Sequence, residues 1–293
     1  MPRVVKAQAY QPAGNAQNLP GPSSRSLEAL ALQQARRSAL QRRRQQMSLG
    51  LLSVLIVITA YTVLTQLPKS NPALLPPPPT IVNAFIKGIQ DGTLLSATVA
   101  SLGRVAIGYM AGCTIAIVIG SLRGWFTTIG YLLDPIIDAL RPVPALAYIP
   151  LVILWFGIGE TARVLVIGLA SFLSCVVSVT AGMKEVPTVY VEAARTLGAT
   201  ERRVFLTVAV PSSLPYIFAG LRVAIGAAWG TLVAAELIAA QNGLGYLLQA
   251  GQEFFHSETV IVALFVIGVI GYLMDAALKA LQTWALRWSP RSG

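Results

Sequence analysis

The sequence has little charge for its length. Charged residues make up only 12% of the 293 residues, against 55% hydrophobic residues, whereas soluble domains carry about 25% charged residues. A chain of this composition has too little polar surface to remain in water, and its mean hydropathy of +0.65 agrees. The sequence therefore predicts an integral membrane protein and excludes an ordinary soluble domain.

Residues that build catalytic or metal sites are also scarce. Cys113 and Cys175 each lie inside an apolar run, and His256 is the single histidine. A disulfide framework or a Cys- and His-rich metal site needs more such residues, so no catalytic residue, metal or cofactor is expected. The sequence G-x-x-x-x-G-K-[ST] is absent as well, so this chain cannot bind ATP through a P-loop. Any use of ATP must depend on a partner.

Six apolar stretches are long enough to cross the hydrocarbon core, which takes roughly 20 helical residues. They fall at about 48–67, 94–120, 132–157, 162–182, 213–239 and 259–281. We therefore predict an all-α polytopic membrane protein of about six transmembrane helices. The third stretch contains Arg141-Pro142-Val143-Pro144, and proline removes a backbone donor from a helix. This span is expected to be kinked or broken, with the break facing the bundle interior.

Basic residues are concentrated at the N-terminus. The tail, residues 1–47, holds eight basic residues and one acidic residue, and it is predicted to be mostly disordered. With the tail in the cytoplasm, sixteen basic residues fall on that side and three, Lys69, Lys87 and Arg163, on the other. Lys and Arg accumulate in cytoplasmic loops, so both termini are predicted to be cytoplasmic. Residues 71–93, which contain a run of four prolines, are expected to form a stiff turn and a short amphipathic helix.

The most polar part of the membrane region is the loop between the fourth and fifth spans, residues 183–212, with seven charged residues. Pro187 suits a first helical turn, and Gly198 can end that helix in a left-handed cap. Thr200 is placed to cap a second helix, which is expected to close at Pro211. The loop is thus predicted to be two helices joined at a glycine corner on the cytosolic surface.

The first of these helices carries Glu192-Ala193-Ala194, which combines little side-chain bulk with one carboxylate and suits docking of another protein; a solvated connector is the alternative. The full spacing is Glu192-Ala193-Ala194, three residues, Gly198, nine residues and Val208-Ala209-Val210-Pro211. It resembles the EAA loop of ATP-binding-cassette (ABC) importer permeases, whose pattern ends in Ile-x-Leu-Pro. The two valines are conservative departures from that pattern.

The resemblance extends from about residue 74 to residue 288 and is greatest to the permeases that move sulfonates, taurine and nitrate. The segments that carry it are Leu75-Pro76-Pro77-Pro78, Ser101-Leu102-Gly103-Arg104-Val105, Leu140-Arg141-Pro142-Val143-Pro144, Trp155-Phe156-Gly157-Ile158-Gly159-Glu160 and Ala234-Ala235-Glu236-Leu237. The resemblance does not extend to the first 47 residues. Residues 48–293 are therefore expected to form the permease domain.

The resemblance implies a type I, MetI-like transmembrane domain in a bacterial inner membrane. Such a chain would work as a homodimer with two ATPase subunits and an extracytoplasmic binding protein, in contact with membrane lipid and without nucleic acid. Its expected substrate is a small oxyanion, with an aliphatic sulfonate or taurine favoured and nitrate or bicarbonate next. The loop 183–212 would be the coupling loop that the ATPase subunit holds. The residues expected to contact the ATPase subunit are Glu192, Ala193, Ala194 and Gly198, and Pro211 is expected to mark the return of the chain to the membrane.

Several residues within the spans are candidates for a translocation pathway. Arginines at positions 104, 141 and 222 lie within or beside apolar stretches, where charge usually faces the bundle interior or a wet cavity. Such residues either guide an anion or pair with a carboxylate such as Glu236. Trp155 suits the pathway too, and an aromatic belt at the membrane interface is its alternative. The candidates are Arg104, Arg141, Pro142, Pro144, Trp155 and Glu236.

Two patterns imitate catalytic motifs. Residues 157–162 imitate the dinucleotide-binding fingerprint, but the preceding run is too long for one strand and no acidic residue follows at the required distance, so a tight turn is expected. Asp134 and Asp138 share a helical face with Arg141, which suits an acid/base pair; an ion pair between Asp138 and Arg141 is the alternative. Beside a permease, a membrane-embedded enzyme and an ATP-independent secondary transporter or channel stay open.

Overall fold

The computed structural model describes residues 71–287 and, before them, residues 55–66 and the positions 45, 48–50, 52 and 53. All regular structure in these residues is helical. By its internal contacts the chain divides into a unit of residues 1–64 and a unit of residues 65–293. The predicted tail lies outside the described residues except for Gln45, so its disorder stays a prediction.

The helices follow one another with short connections. In chain order they are α1 (Ser48–Thr65), α2 (Pro78–Gln90), α3 (Thr93–Trp125), α4 (Thr127–Leu140), α5 (Ile149–Phe156), α6 (Glu160–Lys184), α7 (Thr188–Thr196), α8 (Glu201–Val204), α9 (Val210–Ala239), α10 (Leu244–Glu253) and α11 (Ser257–Ala285). The predicted short helix is α2, whose first turn contains the last two residues of the proline run, Pro78 and Pro79.

Five helices of the described part are long and apolar enough to cross a membrane: α1, α3, α6, α11 and the continuous rod Glu201–Ile238, which holds α8 and most of α9. A sixth span results if α4 is counted with the segment Ala145–Phe156. The predicted all-α architecture and the number of spans are therefore confirmed.

The predicted break in the third span is confirmed as well. α4 and the segment Ala145–Phe156 are bent by 85° relative to each other. Pro144 precedes a short 3-10 turn, and Pro150 lies in the first turn of α5. Each proline removes a backbone donor from a helix, and Pro144 itself is non-helical with a ψ of 133°, so the chain leaves the direction of α4 at these prolines. Beyond α5, Gly157 has a φ of 77° and α6 follows at Glu160, so the imitation of a dinucleotide fingerprint is a turn between two helices.

A stripe of small residues sets the distance between α3 and α6, which pack along their length. Its members recur every four residues and face α6: Gly108, Gly112, Ala116, Gly120 and Gly124. A Cβ atom added at Gly112 would overlap the carbonyl oxygen of Gly168, and one at Gly108 would lie 2.8 Å from the carbonyl oxygen of Val164. Small residues at this spacing let membrane helices approach backbone to backbone. We call these five residues the glycine stripe.

Candidate functional site

The predicted coupling loop, residues 183–212, folds as two helices joined at a glycine corner, as predicted. α7 begins after Pro187, and the backbone N–H groups of Gly198 and Ala199 donate to the carbonyl oxygens of Arg195 and Ala194 at 2.9 and 3.0 Å. These two bonds form a Schellman cap, which requires a left-handed residue. Gly198 supplies it with a φ of 80°. Any other residue here would be strained, because a Cβ disfavours this conformation.

One face of α7 is exposed and partly apolar. Glu192 and Ala193 are exposed and Ala194 is half-buried, and the Glu192 carboxylate has no hydrogen-bond or ion-pair partner in the described part of the chain. Val189 and Leu197, four residues to either side of Ala193, are 69% and 88% exposed. An exposed apolar face next to a free carboxylate suits a protein partner better than a solvated connector.

The predicted closure of the second helix at Pro211 is wrong. α8 passes through a π-turn at Phe205–Ala209 directly into α9, and Pro211 lies in the first turn of α9. The N–H of Val210 donates to the carbonyl oxygen of Phe205, five residues back. A π-turn inserts one residue into the helical ladder, so the missing N–H of Pro211 falls where the ladder is already interrupted.

Aromatic rings fix the coupling loop to the turn between α3 and α4. Phe205 lies 5.5 Å from Phe126 and 6.2 Å from Trp125 between ring centroids, distances at which aromatic pairs attract each other. Arg195 and Glu201 join the two helices of the loop by an ion pair of 2.8 Å. These contacts connect the loop to the end of α3 and to the start of the rod that continues into α9. No pattern in the sequence predicts these ring contacts.

At the opposite ends of α3, α6 and α9, a buried charge cluster joins the three helices. Arg104 donates to Glu160 at 2.6 and 2.7 Å and to Glu236 at 2.6 Å. Glu236 is fully buried and also accepts from the hydroxyl of Ser101 at 2.8 and 2.9 Å and from the N–H of Gly245 at 2.7 Å. We call these residues the Arg104 cluster. The predicted pairing of Glu236 with a membrane arginine is confirmed, while a pathway role for Arg104 and Glu236 stays a prediction.

Two further arginines in the spans have carboxylate partners. Arg222 donates to Asp275 at 2.7 and 3.0 Å. Arg123 is buried, contacts Asp134 and donates to Asp138 at 3.0 Å. The predicted ion pair between Asp138 and the arginine at position 141 is therefore wrong, because Arg123 reaches over from the end of α3 and binds both aspartates.

The break between α4 and α5 opens onto a cavity of about 460 Å³, which we call the break cavity. Arg141 and Pro144 line it together with residues of α6 and α9, whereas Pro142 and Trp155 do not. Trp155 is 67% exposed, as an interfacial or lipid-facing ring would be. No group of three or more His, Cys, Asp or Glu residues that could hold a metal occurs in the described residues.

Comparison with known proteins identifies related membrane transport proteins. The sequence profile of the family described as "Binding-protein-dependent transport system inner membrane component" matches residues 108–286. The taurine transport system permease protein TauC of Escherichia coli K12 is 41% identical over 83% of this chain and 90% of its own length. A putative aliphatic sulfonates transport permease protein, SsuC of Bacillus subtilis 168, is 33% identical over 82% of this chain and 87% of its own length.

A third relative and a solved structure extend the comparison. The nitrate import permease protein NrtB of Synechococcus elongatus is 35% identical over 67% of this chain and 72% of its own length. A structure of the MetNI methionine ABC transporter in an inward-facing conformation has a TM-score of 0.58 at 20% identity, covering 66% of this chain and 96% of that one. Together with the six spans and the capped EAA loop, these matches show that the chain belongs to the family of binding-protein-dependent inner membrane transport components, the multi-pass permease subunits of ABC importers.

Proposed function

We propose that this chain is the permease of an importer for a small oxyanion, with an aliphatic sulfonate or taurine favoured and nitrate or bicarbonate next. A binding protein outside the membrane delivers the solute, and separate ATPase subunits supply the energy, so the chain itself is not an enzyme. The observation that carries the proposal is the joint match to a taurine permease and to sulfonate and nitrate permeases along most of the chain. Relatives with three substrates of one chemical class favour a substrate of that class.

We propose further that α7 is the element that the ATPase subunit holds. Its exposed face offers Glu192 and Ala193 for a close backbone contact, with apolar Val189 and Leu197 on either side. Movement of α7 reaches the spans through Phe205 and the continuous rod that begins at Glu201. ATP binding and solute access can influence each other only if this contact differs between two states of the transporter.

The working unit is proposed to be a homodimer with both termini in the cytoplasm. Arg141 is exposed in the single chain, and an exposed cation at membrane depth is costly. A second copy facing the break cavity would shield this charge from lipid and enclose a path between the two chains. The excess of basic residues on the side of the N-terminus and the coupling loop supports the orientation.

The test of coupling is the variant that combines Glu192→Arg with Gly198→Val. It reverses the exposed charge and strains the Schellman cap, so it should insert into the membrane at the wild-type level and lose ATP-driven uptake. Glu185→Arg is the matched control, because Glu185 is an exposed glutamate of the same loop that lies outside α7. Uptake of radiolabelled taurine, ethanesulfonate and nitrate into proteoliposomes that contain the ATPase subunit and the loaded binding protein is measured. Unchanged uptake by the double variant would remove the coupling assignment.

A second measurement addresses the source of energy. An ATPase subunit that binds but cannot hydrolyse ATP should abolish accumulation of the solute. Continued accumulation with this subunit, or with no ATPase subunit at all, would instead identify a secondary transporter or channel.

A further inference from the structure

The break cavity lies level with the middle of two membrane-spanning helices, α6 and α9. Its walls are the chain around the break, residues 170–178 of α6 and residues 223–231 of α9. Both helical stretches fall near the middle of their helices, Glu160–Lys184 and Val210–Ala239. A solute that crosses the membrane beside these helices must pass this level.

Arg141 is the one charged residue in the lining of the break cavity. Its guanidinium has no hydrogen-bond or ion-pair partner in the described part of the chain. The other arginines within the spans, at positions 104, 123, 163 and 222, all bind carboxylates. No carboxylate lines the cavity. The cavity is therefore a positive site at a depth where an unpaired cation is costly and usually functional.

Three hydroxyl groups line the same cavity. Ser174 and Ser178 are four residues apart on α6 and so share a helical face, and Thr231 faces them from α9. Some hydroxyls in the spans bond within the protein: Ser171, for example, donates to the carbonyl oxygen of Ile167 at 2.8 Å. The three cavity hydroxyls make no such bond with any described residue, so their protons are available to a solute.

We propose that Arg141, Ser174, Ser178 and Thr231 form a binding site for a monovalent oxyanion such as a sulfonate group or nitrate, a site that rests on the proposed import function. A guanidinium donates two parallel N–H bonds to an oxyanion, and the hydroxyls can donate to its remaining oxygens. The rest of the lining is mostly apolar, with Leu173 and Val177 among its members, and suits the alkyl part of a sulfonate. Since the lining lacks a carboxylate, the site selects solutes by their negative group and rejects cations.

The first test measures the charge preference of the cavity without requiring transport. Ser178→Cys is introduced into the full chain in liposomes of zwitterionic lipid, and the new thiol is labelled with sulfonatoethyl methanethiosulfonate, an anion, or with trimethylammonioethyl methanethiosulfonate, a cation. The native Cys113 and Cys175 are buried, and labelling of the chain without the new thiol gives the background. If Ser178→Cys does not insert, Ser174→Cys takes its place.

We expect the ratio of the labelling rate with the anionic reagent to that with the cationic reagent to depend on Arg141. Arg141→Gln should lower the ratio of anion to cation labelling about tenfold, because the probes differ by two unit charges a few ångströms from the lost cation. Arg141→Lys, which retains the charge, should keep most of the ratio. Arg287→Gln, which removes an exposed charge beyond α11, should leave it unchanged. An Arg141→Gln ratio equal to that of the parent would overturn the proposal.

The second test measures transport. With the ATPase subunit and the binding protein loaded with ethanesulfonate, Arg141→Gln should lower the solute transported per ATP hydrolysed about tenfold, while ATP hydrolysis continues because the coupling loop is intact. Equal transport per ATP in this variant would also overturn the anion site. If the parent protein shows no ATP-driven uptake, the proposed function fails, and the labelling ratio still decides whether the anion site exists.

Discussion

Removal of the Glu236 carboxylate tests whether the Arg104 cluster holds the three central helices together. The fully buried Glu236 binds Arg104 and Ser101 of α3 and the N–H of Gly245 in α10. Ser101 in turn accepts from the N–H of Leu244 at 2.8 Å. Glu236→Ala therefore removes the acceptor of three donors at once and leaves a buried space.

The size of the effect follows from these contacts. A buried donor that loses its acceptor costs about 1–3 kcal/mol, and removal of one partner of a buried ion pair costs about 3–5 kcal/mol. Arg104 keeps Glu160 and the carbonyl oxygen of Asn242, so its charge is not left unpaired. We therefore expect Glu236→Ala to lower the free energy of unfolding by about 3–4 kcal/mol and the Tm by roughly 10 °C. Glu236→Gln preserves the shape and one acceptor oxygen and should cost about half as much.

The buried thiols of Cys113 and Cys175 provide the assay, because both lie in the packed region of α3 and α6. The purified protein is heated in detergent with a maleimide dye that fluoresces when it reacts with a thiol, and the midpoint of labelling is recorded. The midpoint temperature of labelling should be highest for the wild type, lower for Glu236→Gln and lowest for Glu236→Ala. Coinciding midpoints for all three proteins would refute the reasoning, because the cluster would then contribute nothing to the packing of these helices.

Two further predictions concern the other contacts of α3. Gly112→Leu should prevent α3 from reaching α6, because even a Cβ overlaps the carbonyl oxygen of Gly168; early labelling of the buried thiols or loss of the folded protein in size-exclusion chromatography is expected. Gly226→Leu is its control, since nothing lies within 4 Å of a Cβ at Gly226, and equal effects of the two would argue against the glycine stripe. Arg123→Gln should lower the stability of the turn between α3 and α4 by about 1–3 kcal/mol, measured as faster limited proteolysis at this turn. An unchanged cleavage rate would show that the contacts of Arg123 with Asp134 and Asp138 do not stabilise the turn.

The features predictable from the sequence are those that depend on neighbouring residues. The spans follow from apolar length, and the break between α4 and α5 follows from closely spaced prolines, each of which removes a backbone donor from a helix. The cap at Gly198 follows from the conformational freedom of glycine after a periodic helix. Each of these can be derived from a window of about 20 residues or fewer, and each is found in the structure.

Contacts between distant parts of the chain were only partly predictable. The pairing of Glu236 with an arginine was expected because buried charges need partners, but the choice of Arg104, 132 residues away, requires the arrangement of the helices. The end of the second loop helix was predicted wrongly at Pro211, since the rule for proline does not account for a π-turn just before it. The glycine stripe is visible in the sequence as small residues every four positions, a signal of close contact between helices.

The glycine stripe also limits how the protein can change shape. Two helices packed this closely cannot slide or rotate without collision, because a Cβ added at any glycine of the stripe would meet the backbone or a Cβ of α6. α3 and α6 are therefore expected to travel as one rigid body during the transport cycle. The conformational change that opens and closes the translocation pathway must then occur at connections between helices, namely the proline-rich bend after α4 and the glycine turn before α6.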